Sequence, residues 1–372
     1  MNRFFSEIKK NFGFGCMRLP LFENGEVNTA EFSRMIEAFF AAGFNYFDTA
    51  HGYLHGKSEL ALKECLTSRY PRESYLLANK LSSPYFEKEE EIRPFFEMQC
   101  EACGVDYFDF YLMHAQNANN YKKYKACRAY EIARELKEEG RVRHVGLSFH
   151  DTAEVLDMIL TENPFVEFVQ IQFNYLDYES VGVQSRLCYE VCRKHGKPVI
   201  VMEPVKGGSL IRLPEQAQAI LDGMNGGSNA SYAIRFAASF EGMMMVLSGM
   251  SNMEQMEDNL SFMKDFSPLS DAEFAALEKV CDCIREQHLI ACTACRYCVE
   301  GCPKQILIPD LFSAVNAKKR GDGNAEALYR QYTAENGRAL DCIRCGKCEK
   351  ICPQKLPVRT LLKEVTKAFE TV

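Results

Sequence analysis

Two copies of one cysteine spacing, C-x2-C-x2-C-x3-C-P, limit what the last quarter of this chain can become. They are Cys292, Cys295, Cys298 and Cys302 before Pro303, and Cys342, Cys345, Cys348 and Cys352 before Pro353. Three thiolates at this spacing wrap one face of an iron–sulfur cube. The fourth lies too far along the chain to close the same cube, so it reaches across to the other one. The spacing predicts two [4Fe–4S] clusters, one on Cys292, Cys295, Cys298 and Cys352, the other on Cys342, Cys345, Cys348 and Cys302. Structural zinc prefers pairs of C-x2-C to triplets followed by Cys-Pro. Nine further cysteines, Cys16, Cys65, Cys100, Cys103, Cys127, Cys188, Cys192, Cys281 and Cys283, are scattered. They read as small buried apolar residues or free thiols in a reducing cytoplasm.

The preceding three-quarters alternates short apolar runs with amphipathic stretches. The runs are 13–17, 46–49, 75–80, 108–114, 144–149, 168–173, 199–203 and 243–248. Helical patterns cover 29–42, 58–67, 88–103, 124–139, 152–161, 180–195, 228–238 and 253–263. Strands alternating with helices imply parallel pairing through right-handed crossovers, and eight such units predict an α/β fold, a (β/α)8 TIM barrel. No strand is followed by G-x-G-x-x-G, so a doubly wound dinucleotide-binding sheet has no support. A last amphipathic helix over 270–287 ends this part. The expected domains are 1–287, the barrel, and 288–372, a ferredoxin-like iron–sulfur domain that is partly helical (309–319 and 324–332).

Chemistry in such a barrel sits at the C-terminal ends of strands. Asp48 ends the second run, Tyr53 follows on the loop, Lys80 ends the third and His114 the fourth. A lysine cation beside a tyrosine lowers the phenol pKa and an aspartate holds the lysine, so Tyr53 becomes a proton donor to a carbonyl oxygen. A neutral His114 can orient that carbonyl. Asp48-Thr49-Ala50-His51-Gly52-Tyr53, Lys80 and His114 resemble the catalytic tetrad of the aldo-keto reductase family. The resemblance continues through Gly146-Leu147-Ser148, Gln170–Asn174, Arg235-Phe236 and Ser248–Asn259. The whole chain is similar to a subgroup with a C-terminal bacterial-type two-cluster ferredoxin domain. The resemblance implies an NADPH or NADH cofactor across the barrel mouth. Ser148 and Gln170 would hold the carboxamide, and Gln172 is a further cofactor-binding candidate. Ser248, Gly249, Ser251, Asn252, Gln255 and Asn259 would bind the adenosine half, and the helix starting near Met253 would offer free backbone N–H groups to phosphate.

Four departures from the family stand out. Gly249 and Gln255 occupy positions that are usually basic in NADPH-preferring members, which makes NADH a candidate, with Lys206 as an alternative phosphate ligand. Phe149 replaces an asparagine, Met202 replaces an aromatic residue, and the chain has no tryptophan. Substrate-pocket candidates are Leu21, Leu54, Tyr85 and Gln116. A net charge of −7 argues against nucleic acid and fits a basic redox partner protein. No apolar run reaches the length of a membrane span and the N-terminus has no signal-peptide pattern, so a cytoplasmic protein is expected. Three functions follow: a carbonyl oxidoreductase acting on a small aldehyde or ketone, an electron-transfer protein, and a cofactor-sensing module. Nicotinamide gives two electrons as hydride while each cube takes one, and no flavin fingerprint is present to split the pair. The cluster domain is expected to dock near the barrel mouth.

Overall fold

The computed structural model describes residues 4–224 and 226–370. Eight parallel strands, β1 (Phe12–Gly15), β2 (Tyr46–Asp48), β3 (Leu76–Leu81), β4 (Phe108–Gln116), β5 (Val142–Phe149), β6 (Phe168–Gln172), β7 (Val199–Met202) and β8 (Met243–Ser248), close in sequence order into a barrel. Each strand is a nearly continuous apolar run because a parallel barrel buries both faces, one against the interior and one against the helices. Around it run α1 (Thr29–Ala41), α2 (Lys57–Leu62), α3 (Ile92–Cys103), α4 (Ala118–Ala126), α5 (Ala129–Glu138), α6 (Ala153–Glu162), α7 (Ser185–Lys194), α8 (Glu215–Asp222), α9 (Asn229–Ala238) and α10 (Met253–Met263). No helix of the described residues is long and apolar enough to cross a membrane.

The lower interior is filled by Tyr46, Leu76, Ala78, Phe110, Leu112, Phe168, Ile200 and Met245, drawn from β2, β3, β4, β6, β7 and β8. Ile8 joins this cluster and Phe5 packs against it, with the Phe5 ring edge-on to Phe110 at 5.5 Å. The segment before β1 therefore plugs the N-terminal end. Gly146 of β5 shows how tightly the interior is filled: a Cβ there would stand 2.4 Å from the Phe168 ring.

The predicted elements stand, with local differences. The helix expected over 124–139 is two, because Arg128 takes a left-handed backbone (φ 50°) between α4 and α5. The one expected over 58–67 loosens into a π turn at Lys63–Thr67. The helix expected from 180 starts after Gln184, also left-handed (φ 56°). Helix α8, inserted after β7, lies outside the helical patterns of the sequence. All nine cysteines outside the motifs are buried except Cys283, which is partly exposed.

The described chain forms two compact units that do not follow chain order: 4–204 with 226–270, and 205–224 with 271–370. The second unit comprises α8, α11 (Asp271–Glu286), α12 (Tyr297–Glu300), α13 (Ile308–Lys319), α14 (Ala325–Thr333), α15 (Lys347–Ile351) and α16 (Val358–Phe369). Its core is Ile306, Ile308, Leu311, Phe312, Val315, Val358, Leu362 and Val365. Within it Lys206 is buried and donates from Nζ to Gln354 Oε1 at 3.1 Å. Gly207 (φ 63°) lies so close to Thr293 that a Cβ would meet its carbonyl oxygen at 2.2 Å.

Gly146→Ala should destabilise the first unit by about 1–3 kcal/mol through overpacking against Phe168. Thermal melts followed by far-UV circular dichroism check this. Adding Phe168→Leu should return part of the loss, because the two changes share one space; additive losses would place the strain elsewhere.

Candidate functional site

Asp48 closes β2, opposite Gly15 of β1 and Ala78 of β3, and Lys80 stands near the end of β3 opposite Leu112. Lys80 Nζ donates to Asp48 Oδ1 at 2.6 Å and to the Thr49 carbonyl at 2.7 Å. Both side chains are enclosed, with Lys80 1% and Asp48 2% exposed. The same Nζ lies 4.9 Å from the centroid of the Tyr53 ring. The His114 ring stands nearly perpendicular to Tyr53 at 6.3 Å. The structure thus brings the four residues together at the C-terminal ends of the strands.

His114 is aimed by a break in β4. Ala115 takes φ 51°, the register with β5 shifts between Met113 and Gln116, and Ser148 Oγ accepts from the Ala115 N–H at 2.8 Å. His114 Nδ1 lies 2.6 Å from Ser82 Oγ. Burial, the Lys80 cation and His150 hold the imidazole well below its ordinary pKa of 6.5, so it is neutral.

For Tyr53 the electrostatics run against the sequence argument. Burial, then the Asp48 charge, with smaller contributions from Cys16 and Glu203, push the phenol well above its ordinary 10, although part of the side chain is exposed. The reason is geometric: the lysine directs its hydrogen bonds to Asp48 and Thr49 and sits over the ring, and its charge is matched by the carboxylate. Asp48 is itself pushed up by burial, opposed by Lys80. Tyr53 therefore keeps its proton.

Ser148 and Gln170 face one another across β5 and β6. Gln170 Oε1 is buried with no hydrogen-bond partner among the described residues. An unpaired buried amide oxygen is costly, and an amide N–H2 such as a carboxamide would satisfy it. Gln172 is engaged within the protein: its Oε1 lies 3.3 Å from His150 Nδ1, and its Nε2 donates to Glu203 Oε2 at 3.1 Å. Ser248 Oγ accepts from Asn259 Nδ2 at 2.8 Å, a buried brace for the β8–α10 turn. Gly249, Ser251, Asn252 and Gln255 are exposed.

The N-terminus of α10 is less open than expected. Asn252 Oδ1 accepts from Gln255 N–H at 2.9 Å, Gln255 Oε1 accepts from Ser251 N–H at 2.8 Å, and Glu31 Oε1 accepts from Met253 N–H at 3.0 Å. A carboxylate already occupies part of the ground proposed for phosphate. Lys206 is turned toward Gln354 in the second unit, which argues against it as a phosphate ligand. Gln116 is buried against Tyr130 Oη (3.2 Å), not on a pocket wall. Leu21 and Tyr85 are exposed, and Leu54 takes φ 52° beside Tyr53.

Sequence reading missed several residues. His150 and Glu203 each follow an apolar strand directly, the same signal that marked Asp48. Ser82 gave no signal before its contact with His114. Arg18 lies beside Gly249, its Cβ 3.4 Å from where a side chain there would begin.

In the second unit Cys302, Cys342, Cys345 and Cys348 line one cavity. Burial and the charges of Cys295, Cys292 and Cys352, in that order, push the Cys298 thiol up. The backbone repeats at a spacing of fifty residues: Ala294 and Arg344, Arg296 and Gly346, and Gln305 and Lys355 all take positive φ. Each second cysteine of a motif is thus flanked by left-handed residues, a conformation that turns successive N–H groups inward.

Comparison with known proteins gives two family matches. Residues 11–282 match the model of the Aldo/keto reductase family and 291–356 that of the 4Fe-4S dicluster domain. An NADH-specific methylglyoxal reductase of Escherichia coli is 26% identical over 185 residues, 45% of this chain and 54% of that protein. An aldo-keto reductase of Mycolicibacterium vanbaalenii is 28% identical over 260 residues, covering 68% and 85%. The chain spans 42–62% of the length of the first three curated relatives it matches. Among solved structures, an aldo-keto reductase from Bacillus halodurans in holo form aligns with TM-score 0.59 and 22% identity over 73% of this chain and 92% of that one. One from Klebsiella pneumoniae in complex with NADPH aligns with TM-score 0.59 and 17% identity over 73% and 95%. At these identities the structural likeness is one of fold.

A histidine held neutral in the fold binds fewer protons than its unfolded counterpart below pH 6.5, so stability is lost as pH falls through that value. His114→Gln should lessen the stability lost between about pH 7.5 and 5.5 by about 1 kcal/mol. Anaerobic urea titrations at the two pH values check it; an unchanged difference would mean that His114 protonates in the fold.

Proposed function

Because the chain belongs to the aldo/keto reductase family and carries a 4Fe-4S dicluster domain, we propose that it is an NAD(P)H-dependent oxidoreductase that reduces a small aldehyde or ketone, or oxidises the corresponding alcohol. The observation that carries this reading is the enclosed Lys80–Asp48 pair beneath a protonated Tyr53 and beside a neutral His114. The nicotinamide, when bound, supplies the hydride. Gln170 Oε1 is the acceptor that would fix its carboxamide, with Ser148 beside it. Tyr53 gives its proton to the carbonyl oxygen, and His114 donates from Nε2 to orient that oxygen. Lys80, fixed by Asp48, stabilises the phenolate left behind. The other relevant residues are the eight motif cysteines, read as ligands of two [4Fe–4S] clusters. The repeated left-handed backbone and the shared cavity support this assignment.

The NADH form of the cofactor is favoured. Glu31, whose other oxygen pairs with Arg34, takes the Met253 N–H at the helix end where the adenosine half would lie, so that donor is not left for a 2′-phosphate. The name of the Escherichia coli relative, an NADH-specific reductase of a small dicarbonyl, points the same way.

Tyr53→Phe should lower kcat/KM for carbonyl reduction by about 10²–10⁴-fold while the NADH dissociation constant changes little. Turnover close to wild type would favour the electron-transfer reading. Glu31→Gln should shift the ratio of NADPH to NADH affinity toward NADPH by about threefold to tenfold. Titration of the full chain with each nucleotide measures it, and an unmoved ratio would remove Glu31 from cofactor choice.

A further inference from the structure

We propose that the rim of the second cysteine motif is the docking face for a small acidic one-electron carrier protein. The proposal rests on the reading that Cys302, Cys342, Cys345 and Cys348 hold a cluster. Those four cysteines line one cavity together with Ile343, Arg344 and Lys347. Seven of the eight motif cysteines are partly covered, and Cys345 alone is exposed. A cluster ligated there comes nearest to solvent at this residue.

The surface around Cys345 is unusual in two ways. First, it exposes large apolar side chains: Ile343 is 58% exposed, Leu340 57% and Ile351 50%. Second, it is basic in an acidic chain. Residues 338–359 hold six basic and two acidic side chains, while the whole chain carries −7. Both acids are already engaged: Glu349 pairs with Arg359 at 2.6 Å, and Asp341 accepts from the Arg338 N–H at 2.8 Å. Arg344, Lys347 and Lys350 are exposed and form no salt bridge among the described residues. A cluster with its four thiolates carries a formal charge of about −2, which these side chains more than offset. Whole-chain charge pointed to a basic partner; the local field reverses that expectation. Exposed apolar spots within a basic rim match the small, salt-sensitive interfaces of transient electron transfer.

A one-electron partner fits the redox chemistry of an iron–sulfur cube. A hydride carries two electrons and a cube accepts one, so a one-electron protein carrier balances directly. One electron leaves the reduced carrier, which is oxidised. A cluster held by these cysteines would take it up, going from 2+ to 1+ with no bond made or broken and no proton moved.

The test uses the full chain purified anaerobically and mixed in a stopped-flow instrument with flavodoxin hydroquinone, an acidic one-electron donor. Cluster bleaching should slow by about tenfold or more when NaCl rises from about 20 mM to about 300 mM. Arg344→Glu with Lys347→Glu should slow it about tenfold at low salt but should not slow reduction by methyl viologen radical cation, which needs no docking face and which a basic rim repels. Lys350→Glu, outside the cavity lining, should act in the same direction and serves where the double variant loses iron. A rate that rises with salt or ignores it overturns the proposal, as does a variant as fast as wild type with flavodoxin. About eight irons per chain and a reduced-cluster resonance in wild type separate these results from failure of the cluster reading, which an iron-free protein would signal.

Discussion

An enclosed cation sets the terms for the whole mouth of the barrel. Lys80 has left water almost completely, and a charge so placed is tolerated only with a close opposite charge and filled hydrogen-bonding positions. Asp48 and the Thr49 carbonyl supply these. Losing either member of such a pair costs about 3–5 kcal/mol, because the other is left buried and alone. The fixed cation then acts outward. It helps keep His114 neutral and stands under the Tyr53 ring, so one ion pair places a protonated phenol and an uncharged imidazole around the same opening.

The strand that carries Lys80 is held on its other face as well. Asn79, the residue before it, points the opposite way, as alternation along a strand requires. It donates to the buried Glu59 of α2 at 2.8 Å and accepts from Gln99 of α3 at 3.0 Å. Tyr111 of β4 donates to Gln99, and His51 lies 2.6 Å from Glu59. This polar layer joins β3, β4, α2 and α3 to the loop that bears Tyr53. A network with each member paired has one arrangement, which is the rigidity a proton donor needs.

The sequence makes the eight strands readable because apolar runs alternate with amphipathic ones, and it makes the tetrad readable because each strand end is a fixed point in such a barrel. The cysteine motifs carry their proposed ligand grouping in their spacing. Other features are tertiary. Ser82 meets His114 across 32 positions, and Glu31 reaches Met253 across 222. No local pattern announces either. The sign of the Tyr53 shift depends on which part of the ring the lysine faces and on how deeply the group is enclosed, and neither is written in the residue order. The break at Arg128 required a left-handed backbone at a residue that does not demand one.

The discontinuous second unit also has a history during synthesis. The stretch 205–224 leaves the ribosome before β8, α9 and α10, and before every other residue of its own unit. During that interval Lys206 has no Gln354 to bond and Gly207 no Thr293 to lie against. Translation must run through β8 and on to the last cysteine motif before that stretch has its neighbours. The second cysteine motif follows every barrel strand in the chain, so synthesis interrupted before it would leave all eight strands made and the stretch 205–224 still without its neighbours.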